Sequence, residues 1–161
     1  MASTVTAATM TVTITESISL GGANYGGTKE LSIPSIKEVY KRIVRVQDDN
    51  DCTIATFKTD IYDGDNALDT QNVKYIRVTN LDDTNPINLS LQVSGSENGT
   101  ANMSTTHLVS AGQSFILHTI HDGIGLSDAN ATIVTSLVDL ESILVDSLSE
   151  DVDVEILIAS I

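Results

Sequence analysis

The sequence predicts an all-β fold: a single-domain antiparallel β-sandwich, jelly-roll-like, of about nine strands. Period-two alternation comes first. PINLSLQV (86–93) sets Ile87, Leu89, Leu91 and Val93 against Asn88, Ser90 and Gln92, and VDVEILIAS (152–160) does the same with Val152, Val154, Ile156 and Ile158. Such a period places one row of side chains on a core and the other in water. Turn spacing comes second, because clusters of Gly, Asn and Asp interrupt the apolar runs every roughly 8 to 15 residues. Length comes third: 161 residues can bury roughly two-thirds of the unfolded surface around one core without a disulfide or metal staple.

The elements follow in order. TMTVTITESISL (9–20) puts Val12, Ile14 and Ile18 on one face and threonines or serines on the other. EVYKRIVRVQ (38–47), CTIATFKTDI (52–61) and VKYIRVTNL (73–81) come next, then PINLSLQV with Pro86 at the strand start, where a missing N–H does least harm. THLVS (106–110) and QSFILHTI (113–120) precede LVDLESILVDSL (137–148), whose Leu137, Leu140, Ile143 and Leu144 also fit a helical stripe. The clean alternation beyond the polar turn Ser149, Glu150, Asp151 favours a closing hairpin there. An N-terminal arm (1–8) and the small-residue loop GGANYGGT (21–28) are the expected flexible segments, and 9–161 the single domain.

Charge narrows the function. The net charge is −14. All eight cations lie between Lys29 and Arg77, so the first 77 residues, with ten acids, carry −2; the remaining 84 have twelve acids, no cation and −12. Phosphate backbones and anionic lipid are repelled, which argues against nucleic acid or membrane as partner. Lys37, Lys41, Arg42 and Arg45 form a weakly basic stretch. It suits protein contact with an acidic surface, or else the plainer role of a solvated strand face. MASTVTAATM lacks the basic start and apolar run of a secretory signal, so the expectation is a soluble chain made in a cytoplasm.

Catalytic, cofactor-binding and metal-binding residues are expected to be none. Cys52 stands alone, so no internal disulfide forms and nothing points to an oxidising compartment; with no adjacent base it reads as a small core hydrophobe. Asp63, Asp65 and Asp69 suggest a calcium loop, but Ala67 holds the fifth position, Leu68 replaces the turn glycine, and no Glu closes the twelfth. A looser oxygen site would draw on Asp48, Asp49 and Asp51, against the simpler reading of solvated turns. His118 and His121, beside Asp122, would point to opposite faces of a strand. Gly112-Gln113-Ser114 runs into Phe115 and Ile116 and so makes no nucleophile elbow. Without Trp, and with most of Tyr25, Tyr40, Tyr62, Tyr75, Phe57 and Phe115 inside strand patterns, a glycan-stacking platform is not expected.

YIRVTNLDDTNPINLSLQV, LVSAGQSFIL and the terminal VDVEILIAS carry a resemblance. They are similar to small virion structural proteins of tailed bacteriophages, especially marine and cyanobacterial phages. There a strand of the form I-R-V-T-N leads through a polar turn to an alternating strand, a G-x-S-F-x-L strand follows, and V-D-V-E ends the chain. The likeness covers residues 73–160. It implies a jelly-roll-like sandwich acting as a capsid decoration (cement) protein on the outer shell, or a neck, tail or fibre-base part; a host-surface or glycan-binding module is the alternative from another class. The implied partners are the major capsid protein or other virion proteins, with a homo-oligomer, such as a trimer, placed in the virion. No site residue is carried over.

Overall fold

In the strand at residues 87–93 the alternation is fully expressed: Ile87, Leu89, Leu91 and Val93 are buried, while Asn88, Ser90 and Gln92 between them are half-exposed. The same rule builds most of the molecule. A computed structural model describes residues 4–48, 50–59, 66–93, 103–118 and 137–161, and the backbone of 125–126. It is all-β. The strands are β1 (Ala8–Glu16), β2 (Ser19–Leu20), β3 (Ala23–Asn24), β4 (Gly27–Ile36) and β5 (Glu38–Val46). Then come β6 (Asp51–Lys58), β7 (Leu68–Asp69), β8 (Val73–Asn80), β9 (Ile87–Val93) and β10 (Met103–Val109). The last four are β11 (Ser114–His118), β12 (Gly125–Leu126), β13 (Val138–Asp146) and β14 (Val152–Ser160).

Two sheets make the sandwich. One has the order β11-β8-β14-β5, the other β10-β9-β13-β6-β7, with β12 added to β13. From β5 onward the long strands pass alternately between the two sheets, except that β9 and β10 are neighbours in one. Val152, Val154, Ile156 and Ile158 of central β14 meet Leu89, Leu91, Ile143 and Val145 of the other sheet in one continuous core. At the β8–β9 crossover Asn80, fully buried, donates from Nδ2 to the carbonyls of Asn85 (2.8 Å) and Val109 (3.3 Å) and accepts from the Asp82 amide (3.0 Å). A buried amide so satisfied fixes where the chain changes sheets.

Three sequence expectations need correction, and β4 gives no sequence signal: GTKELSIPSI does not alternate cleanly, because most of its side chains face water on both sides. The predicted strand 9–20 is two strands, β1 and β2, and its supposed core residues Ile14 and Ile18 are exposed. The loop 21–28 is ordered in part: β2 and β3 form a hairpin on Gly21 and Gly22, both at positive φ (58° and 83°), the two-residue turn that glycine permits. β13 and β14 are not a hairpin; each belongs to a different sheet, and the turn between them is a crossover.

The helix-like stripe in 137–148 also has a cause. In β13, Leu140 pairs with Val93 and Ser142 with Gln92, so Glu141 is the extra residue of a β-bulge. The bulge brings Leu140 and Ile143, three apart, to the same buried face. A strand with one bulge therefore imitates a helical spacing.

Candidate assembly surface

β1 and β4 pair only with each other among the described residues, as an antiparallel ribbon set before the sandwich. Its base is anchored. Ile33 and Ile36, with Met10, Val12 and Leu31, pack on Tyr75, Ala159 and Leu157 of the β8–β14 sheet. There the register shifts: Ala8 faces Ile36 and Met10 faces Ile33, so Pro34 and Ser35 form a bulge, with Ser35 at φ 65°. Beyond it, from Thr13 to Glu30, every residue but Gly26 is exposed.

The outer end of the ribbon is shaped by local bonds. The Tyr25 amide donates to the Ile18 carbonyl (3.0 Å), and the Gly26 amide to Asn24 Oδ1 (2.9 Å). A Cβ at Gly26 would sit 2.2 Å from the Glu16 carbonyl oxygen, so only glycine allows the strands to close there. On this frame Ile18, Leu20 and Tyr25 stand 56%, 70% and 67% exposed. Residues 17–28 hold no charged side chain, in a chain of net charge −14. Large apolar groups clustered at the end of a projecting element mark a contact surface more often than a solvated one.

The four basic residues singled out in the sequence are not gathered into one surface. Lys37 is the single residue between β4 and β5, its amide donating to the Ser160 carbonyl (2.9 Å). Lys41 and Arg45 share the outer face of β5, where carboxylates of this same chain already meet them. Lys41 Nζ is 3.0 Å from Glu155 Oε2, and Arg45 Nε is 3.2 Å from Asp151 Oδ2, with Asp153 3.7 Å from its Nη1. Arg42 lies on the opposite face, its Nη1 donating to Tyr40 Oη (3.2 Å) beside a groove lined by Glu38, Thr56 and Leu68. Among the described residues no carboxylate pairs with Lys37 or Arg42. The offsetting acids come from the last turn and strand, more than a hundred residues away, and no local signal announces them.

Glu155 also accepts from Arg77 Nη2. Lys41 first, then Arg77, hold its carboxyl below the usual glutamate range. Asp151 is held low by the Asp48 amide and by Arg45.

The metal and aromatic candidates disperse as well. Asp69 accepts from the Gln71 amide (3.0 Å) and from Asn72 Nδ2 (2.7 Å), capping its own turn. Asp49, Asp63, Asp65, His121, Asp122 and Tyr62 lie outside the described residues. Among the described residues no three His, Cys, Asp or Glu side chains come together, and no helix is long and apolar enough to cross a membrane. Cys52 is half-buried against the core. Phe57 and Tyr75 are buried, Tyr40 and Phe115 partly so, with Phe115 against the His107 ring at 4.7 Å between centroids. Tyr25 is the mainly exposed aromatic among the described residues.

No protein family and no curated protein matches this sequence. Among solved structures, the chain is similar to a protein of Bacillus endospore appendages, which form a novel family of disulfide-linked pili. Identity is 14%, the match covers 76% of this chain and 87% of that one, and the TM-score is 0.37. A likeness at that score carries no argument about fold, assembly or chemistry.

Proposed function

We propose that this chain is a virion structural protein, a decoration protein that binds the outer surface of a tailed-phage capsid and holds it through the outer end of its β1–β4 ribbon. One observation carries the reading: three large apolar side chains, Ile18, Leu20 and Tyr25, project on an uncharged ribbon end of an otherwise acidic protein. An acidic shell does not repel that end, whereas it does repel the 84 cation-free C-terminal residues. Burying such side chains is worth about 1.5–3 kcal/mol each for complete burial, a modest gain per copy. A lattice multiplies it, since joint engagement of several sites raises avidity by roughly 10² to 10⁴. The β-sandwich alone argues nothing, because one fold hosts many functions.

The test is binding of purified protein to undecorated shells. In one variant residues 17–26 are replaced by Asn-Gly, which joins Glu16 to Gly27, already cross-strand partners, by a two-residue turn. The expected result is an unchanged melting temperature and loss of binding. A shortened ribbon that binds as tightly as wild type overturns the reading.

A further inference from the structure

The two open edges of the ribbon differ in chemistry. The outer edge of β4 carries Lys29, Glu30 and Pro34 and the bulge at Ser35, and it runs on into β5 with Lys41, Arg42 and Arg45. Charge, proline and bulges are the devices that keep a strand edge from recruiting another strand. The outer edge of β1 has none of them. Between Ala8 and Glu16 it reads TMTVTIT, uncharged, free of Gly and Pro, and alternating Thr with Met, Val and Ile. Among the described residues nothing pairs with that side. A bare edge of high β-propensity is a template for strand addition.

We propose that β1 pairs with β1 of a second copy, antiparallel about a two-fold axis at Val12. Val12 is the midpoint of the nine residues of β1, so this axis alone uses the whole strand. Thr11 then faces the partner's Thr13, Thr9 the partner's Thr15, and Met10 the partner's Ile14. Each Glu16 meets an alanine. Thr–Thr and aliphatic cross-strand pairs are favourable, and no like charges oppose. The product is a four-stranded sheet, β4-β1-β1-β4, where a free two-stranded ribbon is marginal in water. The interface is isologous and closes on itself, so it stops at a dimer, and it leaves both ribbon ends unpaired. It does not depend on the virion reading.

The experiment measures the mass of the purified full chain by sedimentation velocity and light scattering. Thr11 and Thr13 are exposed, so both tolerate charge without loss of fold. Wild type should be a dimer. Thr11→Lys with Thr13→Lys places like charges opposite each other twice and should weaken dimerisation about tenfold or more. Thr11→Glu with Thr13→Lys places opposite charges at the same two points, with Lys at 13 facing Glu30 of its own ribbon, and should restore the dimer. In a Cys52→Ala background, Val12→Cys should form an intermolecular disulfide under mild oxidation, and Ile14→Cys, which would face Met10, should not. A wild-type monomer or trimer, equal masses for the two double variants, or equal cross-linking of the two cysteine variants overturns the proposal.

Discussion

Lys41 Nζ lies 3.0 Å from Glu155 Oε2 across the β5–β14 pair, and Arg77 reaches the other oxygen of the same carboxylate from β8. One carboxylate thus ties three adjacent strands of one sheet. The cations that look from the sequence like a docking surface are partly consumed in holding the sheet together.

The first prediction is the acid side of the stability curve. The folded carboxyl of Glu155 titrates below the ordinary value of 4.5, owing to Lys41 and then Arg77. A depressed folded value contributes stability that is fully present above the unfolded value and is lost as the pH falls through the folded one. Glu155→Gln should therefore lower stability at neutral pH by about 1–2 kcal/mol. It should also flatten the decline below about pH 4.5. Urea unfolding at neutral and acid pH measures both; a variant with an unchanged acid limb contradicts the assignment.

Charge reversal at Lys41 becomes a poor probe of docking, because Lys41→Glu sets two carboxylates side by side on β5 and β14. It should lower the melting temperature, whereas Lys37→Glu, with no carboxylate partner among the described residues, should leave it within a degree or two. Thermal unfolding of the two variants distinguishes the effects. Surface charges without partners change stability by no more than about 0.5 kcal/mol.

Asn80 supports a third prediction. Its fully buried side chain makes three hydrogen bonds at the β8–β9 crossover. Asn80→Ala removes the partner of the buried Val109 carbonyl and those of the half-buried Asn85 carbonyl and Asp82 amide, and should cost about 2–4 kcal/mol. Asn80→Asp replaces the donor by an acceptor facing the Asn85 and Val109 carbonyls and should cost at least as much. A urea midpoint close to wild type for Asn80→Ala would mean that the crossover is held by other contacts.

What the sequence made legible follows from where water lies. β9 and β14 each have one dry face and a regular pleat, so Ile87 to Val93 and Val152 to Ile158 announce themselves by alternation. β4 has few dry residues, Ile33 and Ile36 at its base, and so emits no periodic signal. Strand partnership was hidden for a different reason. A polar turn such as Ser149, Glu150, Asp151 is equally compatible with a hairpin and with a crossover, and only the filling of the other sheet by β8 and β5 around β14 decides between them. The basic stretch is visible as sequence, but the pairing of Lys41 with Glu155 and of Arg45 with Asp151 spans 106 to 114 residues. The exposed end of the ribbon was concealed by its composition, because GGANYGGT reads as loop until the Gly21–Gly22 turn and the closure at Gly26 are seen to hold it.

The bulge in β13 yields the sharpest prediction. Shifting a strand by one residue normally sends its whole apolar row to the wrong face, so deleting a residue from the middle of a core strand should unfold a sandwich. Glu141 is the exception. Leu140 is opposite Val93, Ser142 opposite Gln92 and Ile143 opposite Leu91, so removing Glu141 leaves the β9 partners in unbroken succession. The shortened strand then alternates plainly, with Leu140, Ile143 and Val145 inward and Ser142 and Leu144 between them. Deleting Glu141 should therefore yield soluble protein with stability within about 1 kcal/mol of wild type. Deleting Leu144, three residues on, finds no extra residue in β13 to absorb it, because the bulge beside it places its extra residue, Ile54, on β6; it displaces either Val145 or Ile143 from the core and should abolish soluble expression. Expression and thermal melting of the two deletions decide the matter. Equal loss in both would mean that the bulge itself, through the local twist it imposes on β13, is required for the two sheets to pack.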